Sequence, residues 1–224
     1  SQGYHRPFVV DLSDLAVREA EKETSLALIR GVAARMSELG LRIGGFDACV
    51  TSTVLKGSGL SSSAAFEVLI CAIFDSLYNG FTVDAKLRAK IAQYAENRYF
   101  GKPCGLMDQM ASSVGGLVAI DFGGPDAVVD AMNYDFYAKG YTLAVVSAGG
   151  EHGNLTAEYA SMPTEMKQVA ALFGGKVLRD VDPGALEGDI AAVKGKVPDR
   201  AILRALHFFD ENARVLRLTD ALRR

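Results

Sequence analysis

Residues 57–64 read Gly57-Ser58-Gly59-Leu60-Ser61-Ser62-Ser63-Ala64, and the fold class turns on what flanks them. On the N-terminal side Phe46, Ala48, Val50, Ser52 and Val54 alternate with Asp47, Cys49, Thr51 and Thr53. That period of two predicts a half-buried strand over 46–54. On the C-terminal side Phe66, Leu69, Ile70, Ile73, Phe74 and Leu77 share one helical face, and Asn79-Gly80 closes the run. The unit is therefore strand, glycine-serine loop, helix. Glycines let a backbone approach an anion closely, and the first helical turn presents unpaired N–H groups at its positive end. Such a loop suits phosphate, and a serine hydroxyl in it can turn its oxygen toward Mg²⁺. Serine and glycine also make ordinary turns and helix caps, so the loop by itself leaves a purely structural role open. No Gly-Lys-Ser/Thr closes it, it lacks the third glycine of a dinucleotide fingerprint, and it does not read Gly-x-Ser-x-Gly.

The remaining periodicities place the other elements. Leu28, Val32, Met36 and Leu39 predict a helix from Ser25 to Leu39, stopped by Gly40. Leu87, Ile91 and Tyr94 predict another from Asp84 to about Tyr99, after which Gly101, Pro103 and Gly105 make a structured turn. The segments LVAIDF and AVVDAM flank Gly123-Gly124-Pro125-Asp126, a hairpin at 117–132. The continuous apolar run at 141–147 predicts a strand buried on both faces, leading to a helix from about Leu155 to Leu172. Residues 174–198 mix glycine, proline and charge as a loop would, and Leu203, Leu206, Phe209, Ala213, Leu216 and Leu218 predict a helix over 199–224. A domain boundary is expected near residue 138.

The chain has 224 residues, 49% hydrophobic and 23% charged, with a formal charge of −3. That length suits one large domain or two small ones, burying roughly 70% of the unfolded surface. A sequence pI near 5.7 supplies no basic field for nucleic acid or an anionic membrane. No apolar run reaches transmembrane length, and the start shows no charged segment followed by an apolar signal core. A cytoplasmic protein is expected, with no nucleic-acid and no membrane partner. Cys49, Cys71 and Cys104 form no Cys-x-x-Cys pair and read as small buried hydrophobes. The chain begins at Ser1 and stops at Arg224 inside a predicted helix, so truncation is expected too.

Two carboxylates add to the phosphate reading. Glu96 lies near the end of its helix, and Asp108 follows twelve residues later in Cys104-Gly105-Leu106-Met107-Asp108-Gln109. One carboxylate can hold Mg²⁺ while another accepts a hydroxyl proton during phosphoryl transfer. Taken alone, Glu96 reads as a solvated helix residue, whereas Asp108 among Leu106, Met107 and Met110 needs a partner if buried. His152 sits in a glycine turn and reads as a loop histidine, and His5 and His207 have no metal-ligand spacing to any Cys or second His.

At GSGLSSSAAFEV and AENRYFGKPCGLMDQMASSVGG the sequence resembles the galactokinases of the small-molecule kinase superfamily named for galactokinase, homoserine, mevalonate and phosphomevalonate kinases (GHMP). The superfamily's phosphate loop, Pro-x-x-x-Gly-Leu-x-Ser-Ser-Ala, aligns with Leu55 through Ala64, and the Cys-Gly-x-Met-Asp-Gln turn is particular to the galactokinase branch. The resemblance implies that Gly57, Ser58, Gly59, Leu60, Ser61, Ser62 and Ser63 wrap the ATP phosphates. It further implies that Ser63 and Glu96 hold Mg²⁺, that Asp108 is catalytic and faces the sugar hydroxyl, and that Gly105 contacts the sugar through its backbone. The implied reaction moves the γ-phosphoryl group of ATP to the anomeric hydroxyl of galactose, giving galactose 1-phosphate.

The departures are also specific. Leu55 and Lys56 stand where the loop usually opens with proline. Nothing in residues 1–50 matches the family's upstream Gly-Arg…Asn-Leu-Ile-Gly-Glu-His-x-Asp-Tyr motif, and no glycine-rich third motif occurs. Weak nucleotide binding and little or no galactose turnover are therefore expected of the chain alone. The implied fold is α+β: residues 1–138 as the remainder of a GHMP kinase N-terminal, ATP-binding domain with a mixed sheet backed by helices, and residues 139–224 as part of a ferredoxin-like C-terminal domain. Alternatives are a kinase for N-acetylgalactosamine, arabinose or fucose, and a non-catalytic relative that binds sugar and ATP and regulates through a protein partner.

Overall fold

The computed structural model describes residues 7–54, 59–146 and 156–224. His5, the Leu55, Lys56, Gly57 and Ser58 portion of the loop, and the turn carrying His152 lie outside the described residues. The chain divides into two compact units, Ser1–Gly116 with Val145–Gly153 and Leu117–Ala144 with Asn154–Arg224. The hairpin residues group with the second unit.

The first unit is built on four helices, α1 (Ser25–Glu38), α2 (Ser62–Tyr78), α3 (Ala85–Ala95) and α4 (Met107–Val114). Each start follows local chemistry: the Thr24 hydroxyl accepts from the Ala27 amide ahead of α1, and an Asp84 carboxylate oxygen accepts from the Leu87 amide 2.8 Å away ahead of α3. The helix α3 continues as a π-type turn, Glu96–Phe100, and ends at Gly101, whose φ of +87° favours glycine. The apolar stripes read from sequence converge on Val32, Met36, Ile70, Phe74 and Ile91, all buried, and Val83 joins them. Each such side chain contributes roughly 1.5–3 kcal/mol of burial. Gly31 lets α1 and α3 approach closely, since a Cβ there would meet the Ala95 Cα at 2.8 Å.

The strand expected at 46–54 is not formed; residues 41–53 are irregular. Its alternation survives only in part, with Phe46, Val50 and Val54 half-buried but Ala48 and Ser52 exposed along with Asp47, Cys49, Thr51 and Thr53. A strand exists only when a neighbour supplies a ladder, and here a side chain does that work at one residue. Asn79 accepts from the Arg42 amide at 2.8 Å and donates to its carbonyl at 2.9 Å, while Phe46 packs edge-on against Phe74 with centroids 5.2 Å apart.

The second unit carries strands β1 (Leu117–Asp121) and β2 (Val128–Met132), antiparallel with Leu117 opposite Met132, as the hairpin reading expected. Helices α5 (Thr156–Leu172), α6 (Pro183–Gly188), α7 (Ile190–Val193) and α8 (Asp199–Arg223) follow, with Val169, Leu186, Val193 and Ile202 among the buried core. Residues 174–198 are not a plain loop. The Pro183 and Asp182 that marked one are a helix start: Asp182 accepts from the Ala185 amide at 3.1 Å, with proline in the first turn. The buried strand expected at 141–147 is likewise absent over 141–146, where Leu143 and Val146 are 76% and 87% exposed. Burying an apolar run on both faces needs a sheet with neighbours on either side, and the sheet among the described residues has two strands only. The α+β class stands, with helix predominant and the mixed sheet replaced by a hairpin.

Among the described residues no helix is long and apolar enough to cross a membrane. Of the cysteines only Cys71 is buried, its thiol pushed up to about 12 by desolvation; Cys104 is half-buried and Cys49 is exposed, against the expectation of three buried thiols.

Candidate active site

The start of α2 is unusual for a serine-led helix. Ser61 holds the N-cap position in the left-handed region, φ +60° and ψ +49°, and its hydroxyl makes no capping bond. Instead it donates to the Asp108 carboxylate Oδ2, 2.5 Å away in the first turn of α4. The amide groups of the first turn of α2 keep the partial positive charge that a capping hydroxyl would have met. Two residues on, the Ser63 hydroxyl donates to Glu96 Oε1 at 3.0 Å. Glu96 is 3% exposed, so the solvated-helix reading fails: the π-type turn carries its side chain into the interior. Asp108 is exposed.

Behind this pair stands a second layer. Gln109, with no solvent exposure, donates from Nε2 to Glu96 Oε2 at 2.7 Å and to Glu67 Oε2 at 3.3 Å. Glu67 is equally buried, and desolvation first, then the neighbouring Glu96 charge, push its carboxyl up to about 9. It is therefore protonated at neutral pH. Glu67 Oε1 and Gln109 Oε1 have no hydrogen-bond partner among the described residues, and a protonated Glu67 carries a donor that an ionised one lacks. The Cys104 thiol, half-buried beside Glu96 and Gln109, is also pushed up to about 12 and is no nucleophile. The turn holding it is fixed by Asn97, which accepts from the Cys104 amide at 2.7 Å, and by Gln93, which donates to its carbonyl at 3.2 Å.

The structure thus brings Ser61, Ser63, Glu96 and Asp108 together. Gly59, with φ +75°, and Leu60, 48% exposed, lead into α2 beside Ser62. A Cβ on Gly105 would meet nothing within 4 Å, so its backbone is open to approach. Sequence reasoning missed Glu67 and Gln109. The first had a signal: a charged residue at 67 stands in line with Ile70, Cys71 and Phe74, the buried stripe of α2. His207 is exposed, and no cluster of three or more His, Cys, Asp or Glu that could hold a metal occurs among the described residues. A hydroxyl and a carboxylate oxygen side by side nonetheless suit a hard cation that takes few protein ligands and fills its shell with water and phosphate oxygens.

The start of α2 is thus backed by one interior and one exposed carboxylate, and comparison with known proteins gives the family. Residues 27–116 match the model of the GHMP kinases N terminal domain. That segment identifies a GHMP kinase N-terminal domain within the chain. Among individual proteins the similarity is to galactokinases. The chain is 33% identical to the galactokinase of Glaesserella parasuis over 97% of its own length and 58% of the relative's. It is 32% identical to that of Streptomyces coelicolor over 96% and 55%, and 30% identical to that of Pyrococcus furiosus over 87% and 52%. The chain spans about half the length of the curated relatives it matches.

Proposed function

We propose that the chain carries the phosphate-, metal- and base-bearing part of a galactokinase, transferring the γ-phosphoryl group of ATP to the anomeric hydroxyl of galactose. The observation that carries this is the double pairing at the start of α2, Ser63 with Glu96 and Ser61 with Asp108. In this reading the loop from Gly57 to Ser63 binds the ATP phosphates through its amides and the positive end of α2. Ser63 and Glu96 hold Mg²⁺, which when bound neutralises charge on the phosphate oxygens. Asp108 faces the sugar; Ser61 holds its Oδ2, and Oδ1 takes the hydroxyl proton as the sugar oxygen bonds to phosphorus and ADP departs with its bridging oxygen. Gly105 offers its backbone to the sugar. Residues 1–138 are the ATP-binding domain and 139–224 part of the C-terminal domain, in a cytoplasmic enzyme.

The test is a titration of the chain with ATP in the presence and absence of Mg²⁺, together with galactose-dependent ADP release. Metal-dependent nucleotide binding is expected, weakened about tenfold or more by Glu96→Ala. Any ADP release is expected to fall by about 10²-fold or more in Asp108→Asn. Binding indifferent to Glu96→Ala, or no nucleotide binding at all, overturns the reading.

A further inference from the structure

The phosphoryl-transfer reading leaves the two fully buried polar side chains of the site, Gln109 and Glu67, without a role. Gln109 touches neither the loop nor solvent; its amide donates to the inner oxygen of Glu96 at 2.7 Å and to Glu67 at 3.3 Å. Ser63 takes the other oxygen of Glu96 at 3.0 Å. Glu96 therefore has one carboxylate oxygen shared with the serine at the loop's end and the other clamped from behind. A carboxylate free to rotate about its last torsion presents either oxygen, or neither, to a cation. With Oε2 committed to Gln109, Oε1 is the oxygen left beside the Ser63 hydroxyl. Gln109 itself is oriented because Glu67, one turn beyond Ser63 on α2, accepts from the same nitrogen.

We propose that Gln109, steadied by Glu67, is a positioning residue that fixes the Glu96 carboxylate against Ser63 so that the two present their oxygens together to Mg²⁺. This rests on the reading of Ser63 and Glu96 as the metal-holding pair. The arrangement follows the general design in which a ligand's partners, rather than the ligand alone, set metal affinity. It also accounts for burying two polar side chains where α2 meets α4, which a purely structural contact would fill with hydrocarbon.

The test uses Mn²⁺ as a spectroscopic probe for Mg²⁺, titrated into the whole chain with ADP present, and ADP titrated without metal. Gln109→Met, close in volume and lacking the amide, is expected to weaken Mn²⁺ binding about tenfold while metal-free ADP affinity stays within about twofold. Glu67→Leu, an independent way to free the Gln109 amide, is expected to act in the same direction. Glu67→Gln keeps an acceptor oxygen for Gln109 and is expected to retain wild-type Mn²⁺ affinity. Folding of each variant is checked by its cooperative thermal transition, and the loss is read from whichever of Gln109→Met and Glu67→Leu folds. Unchanged Mn²⁺ affinity in folded Gln109→Met or Glu67→Leu, or a loss in Glu67→Gln equal to theirs, overturns the inference while leaving the metal-holding pair intact. A wild-type chain with no metal-dependent ADP binding overturns the pair itself, and this inference with it.

Discussion

Helix α2 buries two carboxylates about two turns apart, Glu67 and Asp75, each with no solvent exposure, and their surroundings are opposite in kind. Asp75 accepts from the backbone amides of Thr82 at 3.0 Å and Val83 at 3.2 Å, and the Arg88 guanidinium lies 3.7 Å from it. Its charge is met by the turn it holds. Glu67 has one long bond to Gln109, an oxygen with no partner among the described residues, and a second carboxylate nearby. Folding alone gives no reason to bury it there. A buried acid satisfied by amides is scaffold, and one left half-satisfied beside another acid marks where the chain serves a ligand.

The contrast is broken most directly at Asp75. Asp75→Ala strands the Thr82 and Val83 amides and leaves Arg88, whose Nε already has no hydrogen-bond partner among the described residues, without its counter-charge. A loss of about 3–4 kcal/mol is expected in urea unfolding. A loss under about 1 kcal/mol would show that Asp75 is no more needed by the fold than Glu67.

At Glu67 the expected sign is reversed. Folded, the carboxyl holds its proton up to about pH 9; unfolded, it releases it near its ordinary 4.5. Between those values the unfolded chain binds fewer protons, so this group's contribution to stability falls as pH rises, by up to about 1.4 kcal/mol per unit, and levels off above the folded pKa. The charges facing it are Glu96 and Asp108, which push the same way, and Lys102, which opposes. Glu67→Gln never ionises. It is expected to match the wild type near pH 4 and to exceed it by up to about 3 kcal/mol at pH 7. Equal stability at both pH values would place a charged, compensated Glu67 in the folded chain and erase the distinction from Asp75.

The same pair shows what the sequence could and could not convey. Helix positions and stops were legible because Thr24, Asp84, Asn79-Gly80 and the apolar stripes are local signals. Ser63, Glu96 and Asp108 were legible through a motif, since spacing alone left Glu96 a surface residue. Strands were not, because the alternation at 46–54 and the apolar run at 141–146 describe what a chain could bury, and a ladder depends on neighbours elsewhere. Gln109 was invisible for a similar reason: its meaning lies in two carboxylates 13 and 42 residues away.

The smallest expected effect sharpens the picture at Ser61. A serine at φ +60° and ψ +49° carries roughly 1 kcal/mol of backbone strain that glycine would not. Its hydroxyl bond to exposed Asp108 returns about 0.5 kcal/mol, and glycine adds about 0.5–1 kcal/mol of unfolded-state entropy. Ser61→Gly is therefore expected to lie within about 0.5 kcal/mol of the wild type, whereas Ser61→Ala keeps the strain, loses the bond and falls about 0.5–1 kcal/mol below it. Urea midpoints for the two variants, at equal slopes, measure the difference. If glycine is neutral while alanine is not, stability does not require serine at this left-handed position, and the hydroxyl's remaining purpose is to hold Asp108. Alanine matching glycine would mean that the left-handed backbone relaxes once the hydroxyl is gone, so that the Asp108 contact itself imposes the strain.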